Sequence, residues 1–226
     1  GYDRATTPYL DGLARAGKLR RIDGALASCA ASSCALLSMA RSKFAHQFTA
    51  RDLDLYEVLR QHGYRIHFAL SGDHTNFYQL RGLFGASDTY HDAVSAPGAY
   101  ANDDRHLLDY LRSFPAADGT PALFQLHLMS AHVLGRRHPE LTPFQPATNY
   151  VSPGALARRA DPALRAEAAN YYDNGVLQAD DTIRRVLETL GSKGYLDNAL
   201  VVVTADHGEA LGENGHYSHA LNLHQP

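Results

Sequence analysis

The chain has 226 residues, 45% hydrophobic and 20% charged, which suits one soluble α/β domain with a sizeable core. A net charge of -3 and a pI near 6.5 provide no basic field for nucleic acid or an anionic membrane surface. No apolar run reaches transmembrane length, and Cys29 and Cys34 are too few for a disulfide scaffold, while thirteen histidines leave material for a metal site. The sequence starts at Gly1 without Met and stops at His224-Gln225-Pro226 just past a motif. It therefore reads as a piece of a longer protein, and the missing targeting signal says little about the parent.

Thr6-Thr7-Pro8 opens a helix, Leu10, Leu13 and Ala14 follow at helical spacing, and Gly17 stops it. Leu19 to Ala27 reads as a strand or an extended approach. Ser28 to Arg41 begins small and polar around Cys29, Ser32, Ser33 and Cys34, then turns helical with Leu36, Leu37 and Met39. A nucleophile at such a junction gains from the helix N-terminus, which stabilises a thiolate, an alkoxide or a bound anion. Asp52 to Gly63 is an amphipathic helix closed by glycine, and Tyr64 to Leu70 is the strand after it, the rhythm of a parallel sheet. The strand leaves through Asp73 and His74, which suit a substrate contact or, equally, a helix cap. Asp103 to Phe114 is a further helix, with Leu107, Leu108 and Leu111 on one face.

Ala122 to Leu128 reads as a second buried strand that exits to His132, with His127 inside it as a core or supporting residue. Arg136, Arg137 and His138 follow on a loop that suits an anionic substrate or plain solvation. Residues 139–163, carrying Pro139, Pro143, Pro146, Pro153 and Pro162, form a long irregular connection of the kind that borders active sites. Ala166 to Leu190 repeats apolar residues at three and four and reads as a scaffold helix. Leu200 to Val203 is an apolar run expected to be a third buried strand, ending at Asp206-His207-Gly208. Ligands of open α/β sheets bind beyond the carboxyl ends of strands, and Asp oxygen with His nitrogen suits zinc or manganese. His219 follows His207 by twelve residues, past a Gly-rich loop.

The string Asp206-His207-Gly208-Glu209, Leu211-Gly212-Glu213-Asn214-Gly215, Tyr217 and His219 resembles the metal-binding segment of the alkaline phosphatase superfamily. It is most similar to the sulfatase-like hydrolases and phosphoethanolamine transferases. Thr7-Pro8 with Leu10-Asp11 resembles the segment after the first sulfatase strand; that strand, with its metal-binding carboxylates, is not among these residues. Cys29 to Ser33, followed by Leu36-Leu37-Ser38, keeps the register of the sulfatase Cys-x-Pro-Ser-Arg segment, where the transferases use a Thr nucleophile. The register implies Cys29 as nucleophile, with Ser32 or Ser33 about one turn on as alternatives. Ser33 and Ala31 stand where sulfatases carry the Arg needed to convert Cys to formylglycine and the usual Pro, which favours the transferases. Leu126-His127 with Met129 and His132 resembles the transferase Leu-His-x-Met-x-x-His, although Val133-Leu134 replaces its Gly-Pro.

Strands alternating with amphipathic helices predict a three-layer α/β/α sandwich with a largely parallel central sheet, alkaline phosphatase-like by resemblance. Its central strands are expected near 64–70, 122–128 and 199–205, within one catalytic domain over 1–226 that lacks its first strand and its C-terminal end. The resemblance implies a metal-dependent transferase or hydrolase of phosphate esters, like the phosphoethanolamine and phosphoglycerol transferases. A sulfatase and a non-catalytic binding domain are the alternatives. Cys29, Ser32 and His219 are the expected catalytic residues, and Asp73, His74 and His132 the substrate-binding ones. Cys29, His132, Asp206, His207 and His219 are the expected ligands of a divalent ion, zinc first, manganese or calcium otherwise. The substrate is expected to be a small-molecule, lipid or glycan phosphate (or sulfate) ester and no nucleic acid, and the parent protein membrane-anchored and periplasmic or otherwise extracytoplasmic.

Overall fold

The fold comes from a computed structural model that describes residues 2–49, 52–95 and 100–219. The chain end at His224–Pro226 lies outside the described residues. Strand β1 (Arg65–Leu70) is the centre of a parallel sheet, between β2 (Thr89–His91) and β3 (Ala122–His127). Its register sets Ile66 against Leu123 and Leu70 against His127. Side chains alternate across a strand. Ile66, Phe68 and Leu70 therefore face one layer, with Leu36 and Ala40 of α2 (Ser32–Arg41) and Tyr56 of α3 (Leu55–Gln61). Ala69 faces the opposite layer, formed by Leu107, Leu108 and Leu111 of α5 (Arg105–Ser113) and Val186 and Leu190 of α7 (Pro162–Ser192). These two cores make the expected α/β/α sandwich. Emptying the Phe68 site, which is fully buried, costs about 3–5 kcal/mol.

α1 (Pro8–Arg15) docks on α7 through a carboxylate rather than through its own cap. Asp180 accepts the N–H groups of Tyr9 and Leu10 at 2.7 and 3.0 Å, which satisfies two of the orphan donors of the first turn. The other polar residues buried in α7 also serve the loops. Gln178 bonds the His138 N–H, the Ser130 hydroxyl and the Arg136 carbonyl, and Asn174 bonds both backbone groups of Phe144. The long helix is thus a spine to which the connections around residues 130–146 are tied. A short helix α4 (Leu80–Leu83), a one-turn helix α6 (Pro153–Ala157) and an antiparallel pair, β4 (Ala210–Leu211) with β5 (Tyr217–Ser218), complete the elements used here. Among the described residues no helix is long and apolar enough to cross a membrane.

Residues 19–27, read as a strand or an extended approach, are coil and largely exposed. One expected strand is corrected. Residues 199–205 form no ladder, and Leu200 is 92% and Val202 73% exposed. Their apolar pattern is that of a buried strand, yet a strand is held by backbone pairing, and here no partner edge is within reach. Instead the run stands across an apolar slot of about 600 Å³ from β3, with α2 and α7 as its other walls. Accordingly β3 is paired only to β1, and its residues are half-buried.

Candidate active site

The polar end of that slot gathers Ser32, His127, His132, Asp206, His207 and Glu209. Ser32 opens α2 after the extended residue Ala31, so its hydroxyl stands at the positive end of the helix. Ser32 Oγ lies 3.0 Å from His207 Nε2. On its other side His207 Nδ1 is 2.8 Å from the Gly208 carbonyl, which only accepts. His207 Nδ1 therefore carries a proton, and in the neutral ring Nε2 holds a lone pair that accepts from Ser32. Asp206 Oδ1 accepts the His207 backbone N–H at 3.1 Å, while Oδ2 is buried with no hydrogen-bond partner, 3.5 Å from His207 Nε2. A buried, unpaired carboxylate oxygen is costly unless something cationic shares its place.

Beyond this pair stand three more imidazoles. The His207 and His219 rings are 4.3 Å apart, and those of His132 and His219 5.2 Å. His219 Nδ1 donates to Glu209 Oε2 at 2.8 Å, and this bond raises the His219 pKa above the ordinary value. His132 is built the other way round. Its Nδ1 accepts the Leu134 N–H at 3.1 Å, and burial, then the neighbouring His219, push its pKa down to about 4. The neutral ring must therefore hold its proton on Nε2. At the end of β3, His127 Nδ1 is 2.7 Å from His74 Nε2, and His127 Nε2 is 3.9 Å from Asp206 Oδ2.

Several expected roles change. Cys29 is disulfide-bonded to Cys34, so no thiol is free there to attack an ester or hold a metal, and Ser32 is the hydroxyl that lies beside His207. His132 presents an N–H, which suits an ester oxygen and not a cation. His219 is paired to Glu209 through Nδ1–H, so its Nε2 holds a lone pair in the neutral ring and a proton only in the charged one. Asp73 accepts the N–H and side-chain amide of Asn76, both at 2.8 Å, and caps a turn, while His74 is buried behind His127, out of reach of substrate. Arg137 is a brace: its guanidinium donates to the Ser130, His132, Gly135 and Tyr171 carbonyls, fixing the loop that carries His132. Arg136 and His138 turn to Asp103. Sequence reading assigned no role to Glu209, although it stands inside the Asp-His-Gly-Glu string, and took His127 as a core or supporting residue.

Among the described residues no three His, Cys, Asp or Glu side chains form a ready metal cage. The donors nonetheless fit one ion. A zinc ion with bonds of about 2.0–2.2 Å spaces tetrahedral donors about 3.4 Å apart. The spacings of 3.0 Å between Ser32 and His207 and 3.5 Å between His207 and Asp206 match it, and the orphaned Asp206 oxygen supplies the charge.

A parallel sheet with hydroxyl, imidazole and carboxylate groups gathered beyond its carboxyl edge defines the open α/β proteins that bind ligands at that edge. The sequence matches the Sulfatase family over residues 1–226, and the chain belongs to that family. Phosphatidylethanolamine transferase Mcr-1 of Escherichia coli is 32% identical over 121 residues, 52% of this chain and 21% of that protein. Phosphoethanolamine transferase EptA of Salmonella typhimurium is 30% identical over 91 residues, 40% of this chain and 17% of that protein. The chain thus spans about a fifth of the length of these relatives. In fold it is similar to the C-terminal periplasmic domain of phosphoethanolamine transferase EptC from Campylobacter jejuni, with a TM-score of 0.66 at 16% identity, covering 98% of this chain and 67% of that one. The corresponding Escherichia coli domain, in complex with Zn, superposes with a TM-score of 0.61 at 19% identity, covering 85% of this chain and 54% of that one.

Proposed function

We propose that this chain is the catalytic part of a metal-dependent transferase that moves a phosphoethanolamine-like group from a lipid donor to an acceptor hydroxyl. The observation that carries the reading is the Ser32 hydroxyl donating to His207 Nε2 beside the unpartnered Asp206 oxygen. Asp206 and His207, with Ser32, would hold a divalent ion, zinc first. Bound there, such an ion lowers the pKa of the serine hydroxyl and neutralises charge on the ester oxygens. Ser32, its proton lost to water, attacks phosphorus; the Ser32 Oγ–P bond forms as the ester O–P bond breaks. His132 Nε2–H donates to a non-bridging ester oxygen. Protonated His219, held by Glu209, delivers its proton to the departing alcohol and then takes one from the acceptor hydroxyl, which attacks phosphorus and frees Ser32.

The relatives named as phosphoethanolamine transferases support this donor class, and the periplasmic domains of similar fold support an extracytoplasmic, membrane-anchored parent. The Cys29–Cys34 disulfide points the same way, since such bonds persist in oxidising compartments. It also removes the free cysteine that a formylglycine sulfatase requires. The test is to incubate the full-length, zinc-loaded protein with phosphatidylethanolamine and identify the adduct by peptide mass spectrometry. A phosphoethanolamine adduct on the Ser32 peptide is expected. Turnover of sulfate esters with no such adduct overturns the reading in favour of a sulfatase, and no adduct or turnover on either ester leaves a binding domain.

A further inference from the structure

Tyr150 is fully buried, and among the described residues its hydroxyl has no hydrogen-bond partner. The Glu209 side chain is only 5% exposed; its Oε2 accepts from His219 Nδ1, while its Oε1 is buried and unpaired. A polar group shut away from water without a partner is costly, and a charged one more so. A phenol has one proton to give, and a carboxylate has only lone pairs with which to receive it, so each group supplies what the other lacks.

The packing sets the two against each other. Tyr150 shares a core with Leu211 and Tyr217, which face each other across β4 and β5, and its ring lies 6.3 Å from that of Tyr217. Glu209 stands two positions before Leu211, and side chains two apart along an extended chain share a face. The same core holds Val133, the neighbour of His132, and Tyr171, whose hydroxyl donates to the Val133 carbonyl and whose ring stands perpendicular to Tyr150 at 6.1 Å. The hairpin that carries Glu209 and the loop that carries His132 therefore both rest on Tyr150. Burial, then the Glu209 charge, push the Tyr150 pKa up, so the phenol keeps its proton and remains a donor.

We infer that Tyr150 is a positioning residue: its hydroxyl closes on Glu209 Oε1, turns Oε2 to His219 Nδ1, and so fixes the orientation of that imidazole beside His207. The inference rests on the proton-transfer role proposed above for His219.

The test uses the full-length, zinc-loaded protein and Tyr150→Phe, which removes the hydroxyl and keeps the ring. With phosphatidylethanolamine as donor, kcat is expected to fall about 10-fold at unchanged KM, the pattern of a group that orients the chemical step. Glu209→Ala is expected to be slower, and Tyr150→Phe added to it to change nothing more, because the hydroxyl acts only through that carboxylate. A tyrosine that served packing alone would add its own loss in both backgrounds. meta-Fluorotyrosine placed at position 150 reads the contact without removing the hydroxyl, and its fluorine resonance is expected to shift on Glu209→Ala. Circular dichroism checks folding, and the fluorine reading decides if Tyr150→Phe unfolds. Wild-type kcat in folded Tyr150→Phe, an equal loss with and without Glu209, or a fluorine resonance indifferent to Glu209→Ala overturns this inference and leaves the proposed function intact. A wild-type protein without transferase activity overturns that function, and with it this role.

Discussion

The Ser32 hydroxyl and the His207 imidazole stand 3.0 Å apart although 175 positions separate them. Only the packing of α2 beside the segment that follows α7 brings the two together, so the contact reports the whole fold. If Ser32 is the nucleophile, Ser32→Ala lowers kcat on a phosphate ester by about 1,000-fold or more, since removing a nucleophile abolishes the covalent route. Steady-state kinetics on the zinc-loaded protein check this, with Ser33→Ala alongside. Activity kept in Ser32→Ala and lost in Ser33→Ala would move the role to the neighbouring serine.

His219 donates to Glu209, and that carboxylate is what raises its pKa. Glu209→Gln keeps the size and an accepting oxygen but removes the charge that favours the protonated ring. The expected result is a kcat lower by about 100-fold, the scale of a lost general acid. An unchanged kcat would show that the Glu209 charge has no part in the proton transfer.

Much of this was legible in the sequence, for reasons that differ by residue. Tyr64 to Leu70 and Ala122 to Leu128 show the apolar runs that strands buried on two faces require, and both pair in parallel. Asp206 and His207 were found because a carboxylate and an imidazole beside a glycine are conspicuous. The run at 199–205 failed because apolar pattern specifies burial, whereas a strand also needs a neighbouring edge. Cys29 was misplaced because register alone does not reveal that a second cysteine five positions on will take its sulfur. The ring positions that separate His207 from His132 depend on the Gly208 carbonyl and the Leu134 amide brought up by folding, and no spacing rule encodes them.

That disulfide spans the loop which presents Ser32, closing a ring from Cys29 to Cys34. A loop this short gains about 2 kcal/mol from the cross-link in the chain-entropy view. Replacing both residues by serine is expected to lower the unfolding free energy by that amount and to reduce kcat several-fold by loosening the Ser32 position. Denaturant unfolding together with kinetics separates the two effects. A double variant as stable and as active as wild type would show that the bond does not order the loop.

Gly175 sits where the loop from Ser130 to Arg137 crosses α7. A Cβ there would collide with the Ser130 carbonyl and would stand 2.7 Å from the Arg137 guanidinium. The brace on the His132 loop depends on that close approach. Gly175→Ala is expected to cost about 1–3 kcal/mol by overpacking, despite the better helix propensity of alanine, and to lower activity by displacing His132. Denaturant unfolding decides the sign: a more stable Gly175→Ala variant would mean that the loop yields without cost.

Arg158, at the end of α6, holds two carboxylates of α7's first turns. Its guanidinium donates to Asp161 Oδ2 at 2.7 Å and to Glu167 Oε1 at 2.8 Å, and the Thr148 hydroxyl adds a bond to Glu167 Oε2 at 2.6 Å. The Arg158 bond, and then the Thr148 one, lower Glu167 from 4.5 to about 2, and Arg158 lowers Asp161 as well. Because the folded-state values lie below the unfolded ones, the native state binds fewer protons than the unfolded chain as the pH falls below the usual carboxylate range. The stabilisation is complete above about pH 4.5 and is lost progressively down to about pH 2. Arg158→Ala is therefore expected to raise the midpoint of acid unfolding, and added salt to narrow the gap from wild type by screening the pair. Acid titration followed by circular dichroism measures both midpoints. Coincident curves at low salt would show that the bridge does not tie α6 and the preceding loop to α7.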